Sequence, residues 1–339
     1  MKRIFLFFCC AAPLVLLLGF FSCSSEAEIK RILGVSAKAP VFIDCRPVSS
    51  TEIVFNFSVD VRLVSANFDP ELEIESVEEG QSLKITFTRP LEAGRRIIAD
   101  ILVEDSKRNS LNVVVPFRAR NDRMPSLIIN EVRTEFSRPR VEFVEFFAPE
   151  PGNLGAMRLF IASNSLTVPV YEFPPAEIKA GEYIVLHLRT LDEASVDETG
   201  DDLTLSGGNE ARPDARDLWV PGSVKLLRRT DALWIMDQDG RIIDALLLSE
   251  SPTGNWSNRN IGEAAEFLGR EKAWLPPEGE APEGWIPDPA SAVSSAGTTA
   301  TRTICRDESI PPERRRGNWY VTVTSGNSPG RPNDPRRHN

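Results

Sequence analysis

The sequence predicts an all-β protein built from two β-sandwich domains in tandem. Three observations carry this. From Leu127 to Leu188, apolar and polar residues alternate in short bursts (LIINEVRTEF, VEFVEFFAPEPGNLGAMRLFIAS, YEFPPAEIKAGEYIVLHL), and each burst ends at Gly, Pro or Asn. That is the period-2 signature of short antiparallel strands rather than helices. With 21 Gly and 26 Pro, the composition suits a turn-rich β chain better than a helical one. Finally, 339 residues of which 41% are hydrophobic make enough chain for two domains with sizeable cores.

The N-terminus comes first. Lys2 and Arg3 precede an apolar run from Ile4 to Phe21, broken by Pro13. By charge, length and position this is a secretory signal peptide over residues 1–22. The run ends Phe20-Phe21-Ser22-Cys23 and turns abruptly polar at SSEAE. A small residue directly before Cys resembles a bacterial lipobox, and Phe20 in the usual Leu position is similar to the looser pattern of spirochaete-like lipoproteins. The resemblance implies cleavage before Cys23 and acylation of Cys23, with residues 23–36 as a polar tether. An uncleaved N-terminal membrane helix is the alternative. Several acyl chains on one residue make a stable anchor to a lipid membrane.

Residues 37–120 carry the first domain. In Ile53-Val54-Phe55-Asn56-Phe57, the side chains of Ile53, Phe55 and Phe57 share a face, as do Leu83, Ile85 and Phe87 further on. Gly80-Gln81 and Lys107-Arg108-Asn109 supply turns, so six or seven strands fit a small sandwich. The segments Val54 to Ser58, Pro90-Leu91-Glu92-Ala93-Gly94 and Val103 to Asn109 resemble bacterial Ig-like modules, although Arg95-Arg96 stand where that family has aromatics. The resemblance implies an Ig-like fold and a spacer role. Residues 121–126 read as a linker.

The second domain covers 127–334. Ile129-Asn130-Glu131-Val132 is followed ten residues later by Glu142-Phe143-Val144-Glu145-Phe146-Phe147, then by Phe173-Pro174 and Ala180-Gly181-Glu182-Tyr183-Ile184-Val185-Leu186. Arg302, Trp319 and Ser328-Pro329-Gly330-Arg331-Pro332-Asn333 close the series in order. These dispersed motifs resemble a lamin tail domain, which implies a second Ig-like sandwich used for interactions. Secreted bacterial domains of this kind often accompany nucleases or phosphatases, but no such catalytic segment stands beside this one. Two inserts interrupt the resemblance. Residues 190–219 are acidic and turn-rich, and residues 250–299 hold a Pro-rich stretch with Trp274 and Trp285. Connections of this length are functional or disordered. Residues 335–339 form a polar tail.

Alternation places Val141, Phe143, Glu145 and Phe147 on one strand face, where a carboxylate is costly unless paired and hydrogen-bonded. The lamin-tail resemblance makes Glu145 a structural pin, with Arg302, Arg158 or the Asn130 amide as partner. It gives Asn130, Arg302, Trp319, Gly330 and Asn333 structural roles as well. Cys45 and Cys305 are the mature thiols besides Cys23, and either a disulfide or two free thiols fit an exported chain.

Catalytic chemistry finds little material. The two histidines, His187 in a strand and His338 in the tail, offer no triad, and no G-x-S-x-G elbow is present. Asp237-Gln238-Asp239-Gly240 reads as a hairpin turn rather than a calcium loop. Asp197 to Asp202 reads as a solvated acidic loop, with calcium ligation as the alternative. No catalytic residue, cofactor or metal is therefore expected. The net charge of −10 becomes −12 once Lys2 and Arg3 leave with the leader, which disfavours general nucleic-acid binding. An Arg-rich end (Arg302, Arg306, Arg314, Arg315, Arg316, Arg331, Arg336, Arg337) balances acidic surface or binds phosphates. Trp274 and Trp285 either form a contact surface or fold back over a sheet edge.

The expected function is a non-enzymatic lipoprotein of the bacterial cell envelope, on its periplasmic face or outer surface. It is membrane-anchored through Cys23 and has a protein partner met by the second domain. Arg314, Arg315, Arg316, Trp274 and Trp285 are its candidate contact residues. The alternatives are an accessory subunit of a secreted nuclease or phosphatase, and a nucleic-acid or phosphate-binding module using the Arg-rich end.

Overall fold

The computed structural model describes residues 39–338; the leader and Cys23 lie outside them. The chain is all-β and of the sandwich type. It divides into two compact units, one made of residues up to 89 and 97–117, the other of residues 90–96 and 118 onward.

In the first unit, β1 (Phe42–Pro47), β2 (Glu52–Asp69), β3 (Ile74–Glu78), β4 (Gly80–Phe87), β5 (Arg96–Asp105) and β6 (Ser110–Arg118) pair in the order β3-β4-β2-β5-β6, with β1 also on β2. The long β2 organises the unit. Its first half pairs with β4, setting Ile53 against Ile85 and Phe55 against Leu83. Its second half, from Val61 on, pairs with β5. Alternation decides the inside: Ile53, Phe55, Phe57, Leu83, Ile85 and Phe87 are buried, as are Ile97, Ala99, Ile101 and Val103 on β5. Cys45 and Cys305 are free thiols, one in each unit.

The second unit has two main sheets. One runs β14 (Arg216–Trp219), β13 (Glu182–His187), β8 (Phe143–Ala148), β7 (Ile128–Arg133), β18 (Ile304–Arg306), β19 (Trp319–Val321). The other runs β11 (Tyr171–Glu172), β10 (Arg158–Ile161), β15 (Asp231–Met236), β16 (Ile242–Ser249), β17 (Val293–Ser294). A short pair, β9 (Gly152–Asn153) and β12 (Glu177–Ile178), stands beside them. The main core includes Ile129, Val132, Val144, Phe146, Ile184, Leu186 and Ile304 from the first sheet and Leu159, Leu233, Ile235 and Leu246 from the second. Phe160 stacks on Trp234 within the second sheet, centroids 5.2 Å apart. At the β15–β16 hairpin, Asp237 accepts hydrogen bonds from the Asp239 and Arg241 backbone, and Gly240 takes φ 84°, as a tight turn requires.

The structure corrects the reading of both long inserts. Each supplies a parallel edge strand: β14 lies beside β13, and β17 beside β16. A parallel neighbour needs a crossover of a dozen or more residues, which accounts for the length of both connections. The acidic run is a solvated loop only in part: Thr199 to Asp202 are exposed, but its first two carboxylates are held inward. Glu198 is buried and accepts the Asp217 and Ser206 backbone N–H groups, while Asp197 accepts from Trp219 N and the Tyr171 hydroxyl. The second insert contains a helix, α1 (Arg259–Arg270), that the sequence reading did not anticipate. Asn258 caps it by accepting from Asn260 N, and Ile261, Ala264, Ala265 and Leu268 form the buried stripe. Phe267 reaches Trp234, centroids 6.0 Å apart. The expected linker is likewise held to the second unit, where the Asn121 amide donates to Asn153 O and Gly155 O.

Trp274 is no surface contact. Its side chain is 0% exposed, and its indole N–H donates to Ser291 O at 3.1 Å. Trp285 is half-buried against the same core. Trp274→Ala is expected to cost about 3–5 kcal/mol by opening a core cavity, read as a lower urea midpoint at unchanged m-value by far-UV circular dichroism.

Candidate functional site

The first sheet of the second unit has two interiors. One face meets the main core. On the other, paired rows of side chains run across the strands. Glu131 stands opposite Glu145, Arg133 opposite Phe143, His187 opposite both Phe143 and Trp219, and Tyr183 opposite Phe147. Segments 194–215 and 322–333 supply contacts that roof this face. A bulge between Ile129 and Glu131 shifts the register of β7. It keeps Ile129 and Val132 in the core while Asn130 and Glu131 are both bonded under the roof.

Glu145 is therefore a buried pin, but of this roofed face and not of the main core. Its partners are Asn130 and Gly330: Asn130 Nδ2 donates at 3.0 Å and the Gly330 backbone N–H at 2.6 Å. The expected arginine partners are elsewhere. Arg302 Nη1 lies 2.8 Å from His338, and Arg158 donates to Asp237 O. Glu131 takes the Ser328 backbone N–H at 3.1 Å and the Ser328 hydroxyl at 2.9 Å. Asn333 Nδ2 closes the loop by donating to Asn130 O and Arg306 O. The Ser328-to-Asn333 motif thus folds back over 180 residues onto the two glutamates of the opening strands. Gly330 needs its glycine: φ is 77°, and a Cβ there would meet Ala215 Cβ at 2.7 Å.

Two carboxylates directly opposite each other repel unless a proton intervenes. Burial raises the pKa of Glu145 well above its ordinary value, with the charge of Glu131 adding to the shift. Burial also raises Glu131, opposed by hydrogen bonds from Thr303 and Ser328 and by the Arg133 charge. Cys305, opposite Glu131 on β18, is likewise pushed well up by burial and then by Glu131, which keeps it an unreactive thiol.

The other charged groups of the face each have a partner, although Arg133 Nε and His187 Nδ1 are buried without one. Arg133 is 0% exposed, bonded to Glu210 and set over the Phe143 ring at 4.8 Å. His187 Nε2 lies 2.7 Å from Asp217 Oδ1, and its ring stacks on Trp219 at 3.8 Å. Asp217 Oδ2 accepts Arg212 N, fixing the roof strap. Sequence reasoning placed His187 in a strand but missed this partner, which comes from a distant insert. Glu131 was also missed, although it follows Asn130 in the quoted opening motif.

The Arg-rich end is largely committed. Arg306 is buried, pairs with Asp244 at 2.6 Å, donates to Ile129 O and lies over Trp319 at 4.4 Å. Arg315 pairs with Glu313 and donates to Pro276 O and Gly279 O. Arg316 donates to Ala290 O, and Arg314 O accepts from Leu275 N. The Arg315 and Arg316 side chains and the Arg314 carbonyl therefore strap down the Pro-rich segment, which commits two of the three guanidiniums offered for phosphate in the alternative reading. Arg336 and Arg337 pair with Asp334 and Asp307. Among the described residues, no group of three or more His, Cys, Asp or Glu is placed to hold a metal ion.

Beside the glutamate pair opens a pocket of about 280 Å3, lined by Ile128, Asn130, Phe147, Tyr183, Arg306, Asp307, Glu308, Ile310 and Pro312. Phe147 and Tyr183 meet at 5.2 Å between centroids. Burial raises the Tyr183 phenol, and the charges of Glu308 and Glu145 raise it further. Chemically the face offers polar, proton-holding anchorage inside and one aromatic, acidic concavity outside.

The second unit also matches a known family. The family model TP_1001_2nd, described as a protein second domain, covers residues 125–321, more than half of the chain. The chain belongs to this family. It is similar, at 30% identity over 204 residues, to an uncharacterized protein of Treponema pallidum (strain Nichols), the match covering 56% of this chain. The chain spans about half the length of that relative (50%). Among solved structures, a DUF4876 family protein from Bacteroides thetaiotaomicron VPI-5482 aligns at 12% identity over 79% of this chain and 88% of its own, with a TM-score of 0.30, too low to carry an argument.

Two outcomes test the pinning. Gly330→Ala is expected to destabilise by about 2–4 kcal/mol through left-handed strain and overpacking, measured by denaturant unfolding. For Glu145, a raised folded-state pKa means that its favourable contribution is complete below the unfolded value and is lost as pH rises through the folded one. The unfolding free energy of Glu145→Gln relative to wild type should therefore shift in favour of the variant as pH rises from the ordinary carboxylate range toward neutrality. A pH-independent difference would contradict the raised pKa.

Proposed function

We propose that this chain is a non-enzymatic lipoprotein of the bacterial cell envelope, anchored by acylated Cys23, whose second unit is a lamin-tail-like contact module. The first unit is an Ig-like spacer between membrane and module. The observation that carries the reading is how the buried ionisable groups are spent. Glu145, Glu131, Asp217 and Arg306 are consumed by backbone groups and fixed partners that hold the roof and the closing loop. A face wired in this way rigidifies a scaffold, and a rigid scaffold suits presentation of a contact surface.

The anchor rests on the leader: a short basic start, an apolar run and Ser22-Cys23 before a polar stretch. Among the described residues, no helix is long and apolar enough to cross a membrane. A partner on the envelope fits the exposed acidic concavity beside the glutamate pair.

Palmitate labelling in a bacterial host should mark the full chain, and Cys23→Ala should abolish the label and release the protein from the membrane fraction. Label that survives the substitution refutes the anchor. Metal-dependent turnover of a phosphoester by the purified chain, abolished by a point substitution in the second unit, would overturn the non-enzymatic reading.

A further inference from the structure

The pocket beside the glutamate pair combines three features that point to one ligand chemistry. Its size comes first. About 280 Å3 is below the usual range of small-molecule sites, roughly 300–1,000 Å3, and suits one long side chain. The second feature is its apolar lining: the Phe147 and Tyr183 rings, with Ile128, Pro312 and the 41%-exposed Ile310.

The third is an uncompensated charge. Of the ionised groups lining the pocket, Arg306 is paired with Asp244, and Asp307 with Arg337. Glu308 is held instead by neutral groups. Asn130 Nδ2 donates to one of its oxygens at 2.9 Å and Asn333 N to the other at 3.3 Å. These donors fix the carboxylate at the pocket and leave each oxygen a lone pair for a further donor.

A fixed carboxylate beside aromatic faces attracts a cation and repels an anion. A cation small enough to enter must also match the apolar walls, as the aliphatic stem of a long basic side chain does. We propose that this pocket receives an arginine or lysine side chain of a partner protein. The inference rests on reading the second unit as a contact module, and it names the chemistry of the contact. The acidic balance of the chain favours such a basic partner by long-range attraction.

The test uses the full chain and three short peptide amides, identical except for arginine, lysine or citrulline at one position, titrated at low salt by calorimetry. The cationic peptides should bind one to one, and the neutral citrulline peptide about tenfold more weakly or worse. Glu308→Gln should weaken the cationic peptides by about tenfold while leaving citrulline unchanged. Ile310→Lys, at an exposed wall position, should abolish binding with no change in unfolding midpoint, which separates loss of the site from loss of the fold. Equal binding of citrulline, full affinity in either variant, or no binding of any peptide overturns the proposal. These results are independent of the Cys23 labelling. A lipidated protein that ignores the peptides sinks the pocket alone, and an unlipidated protein that binds them sinks the anchor alone.

Discussion

The second unit depends on burying two glutamates opposite each other. Glu131 and Glu145 sit on neighbouring strands under a roof, where charge repulsion and desolvation both work against them. What makes the arrangement stable is a set of donors delivered from the end of the chain: Ser328, Gly330 and, through Asn130, Asn333. Hydrogen bonds to charged groups contribute about 1.5–3 kcal/mol each, and leaving such a group unmet costs more. The closing loop and the opening strands therefore specify each other. Neither end of the domain can be removed without exposing the other's unmet polar groups.

The same constraint explains the unusual layering. A sandwich sheet ordinarily buries one face and wets the other. Here the second face is also covered, but by polar and charged side chains whose partners arrive on straps. Arg133 meets Glu210, His187 meets Asp217, and Asp217 in turn holds Arg212 N. A small apolar cluster of Phe143, Val185 and Ala215 fills the space between them. A densely bonded polar layer of this kind fixes register and roof geometry more sharply than an oily one, with Arg133 Nε and His187 Nδ1 the two of its atoms buried without a partner. It also places Glu308 at a fixed opening, through the hydrogen bond it accepts from Asn130.

The two long crossovers follow from topology. Each leads to a parallel edge strand, and each carries its own packing: the Asp197–Glu198 acceptors in one, α1 and Trp274 in the other. The Arg314–Arg316 run then ties the Pro-rich part of the second crossover to the sheet edge by backbone carbonyls. Arginine-rich sequence here serves internal hydrogen bonding more than surface charge.

Local pattern determined much of this protein. Period-2 alternation was enough to place the inward faces of Ile53, Phe55, Phe57, Leu83, Ile85 and Phe87, because strand geometry alone sends alternate side chains to one side. The Asp237–Gly240 turn was legible for the same reason: its hydrogen bonds are made within five residues. Helix α1 was legible in principle, since Ile261, Ala264, Ala265 and Leu268 have helical spacing after the capping Asn258, but its Gly and Pro surroundings concealed it. Alternation also put Phe143, Glu145 and Phe147 on one face without saying that a second, roofed interior lay there. That was decided by tertiary structure. The Glu131–Glu145 opposition, the His187–Asp217 pair, the Arg306–Asp244 pair and the Glu308 pocket all join residues that are brought together by strand pairing and crossovers. No local spacing encodes them, because the donors that make a buried charge tolerable are chosen by where the chain returns.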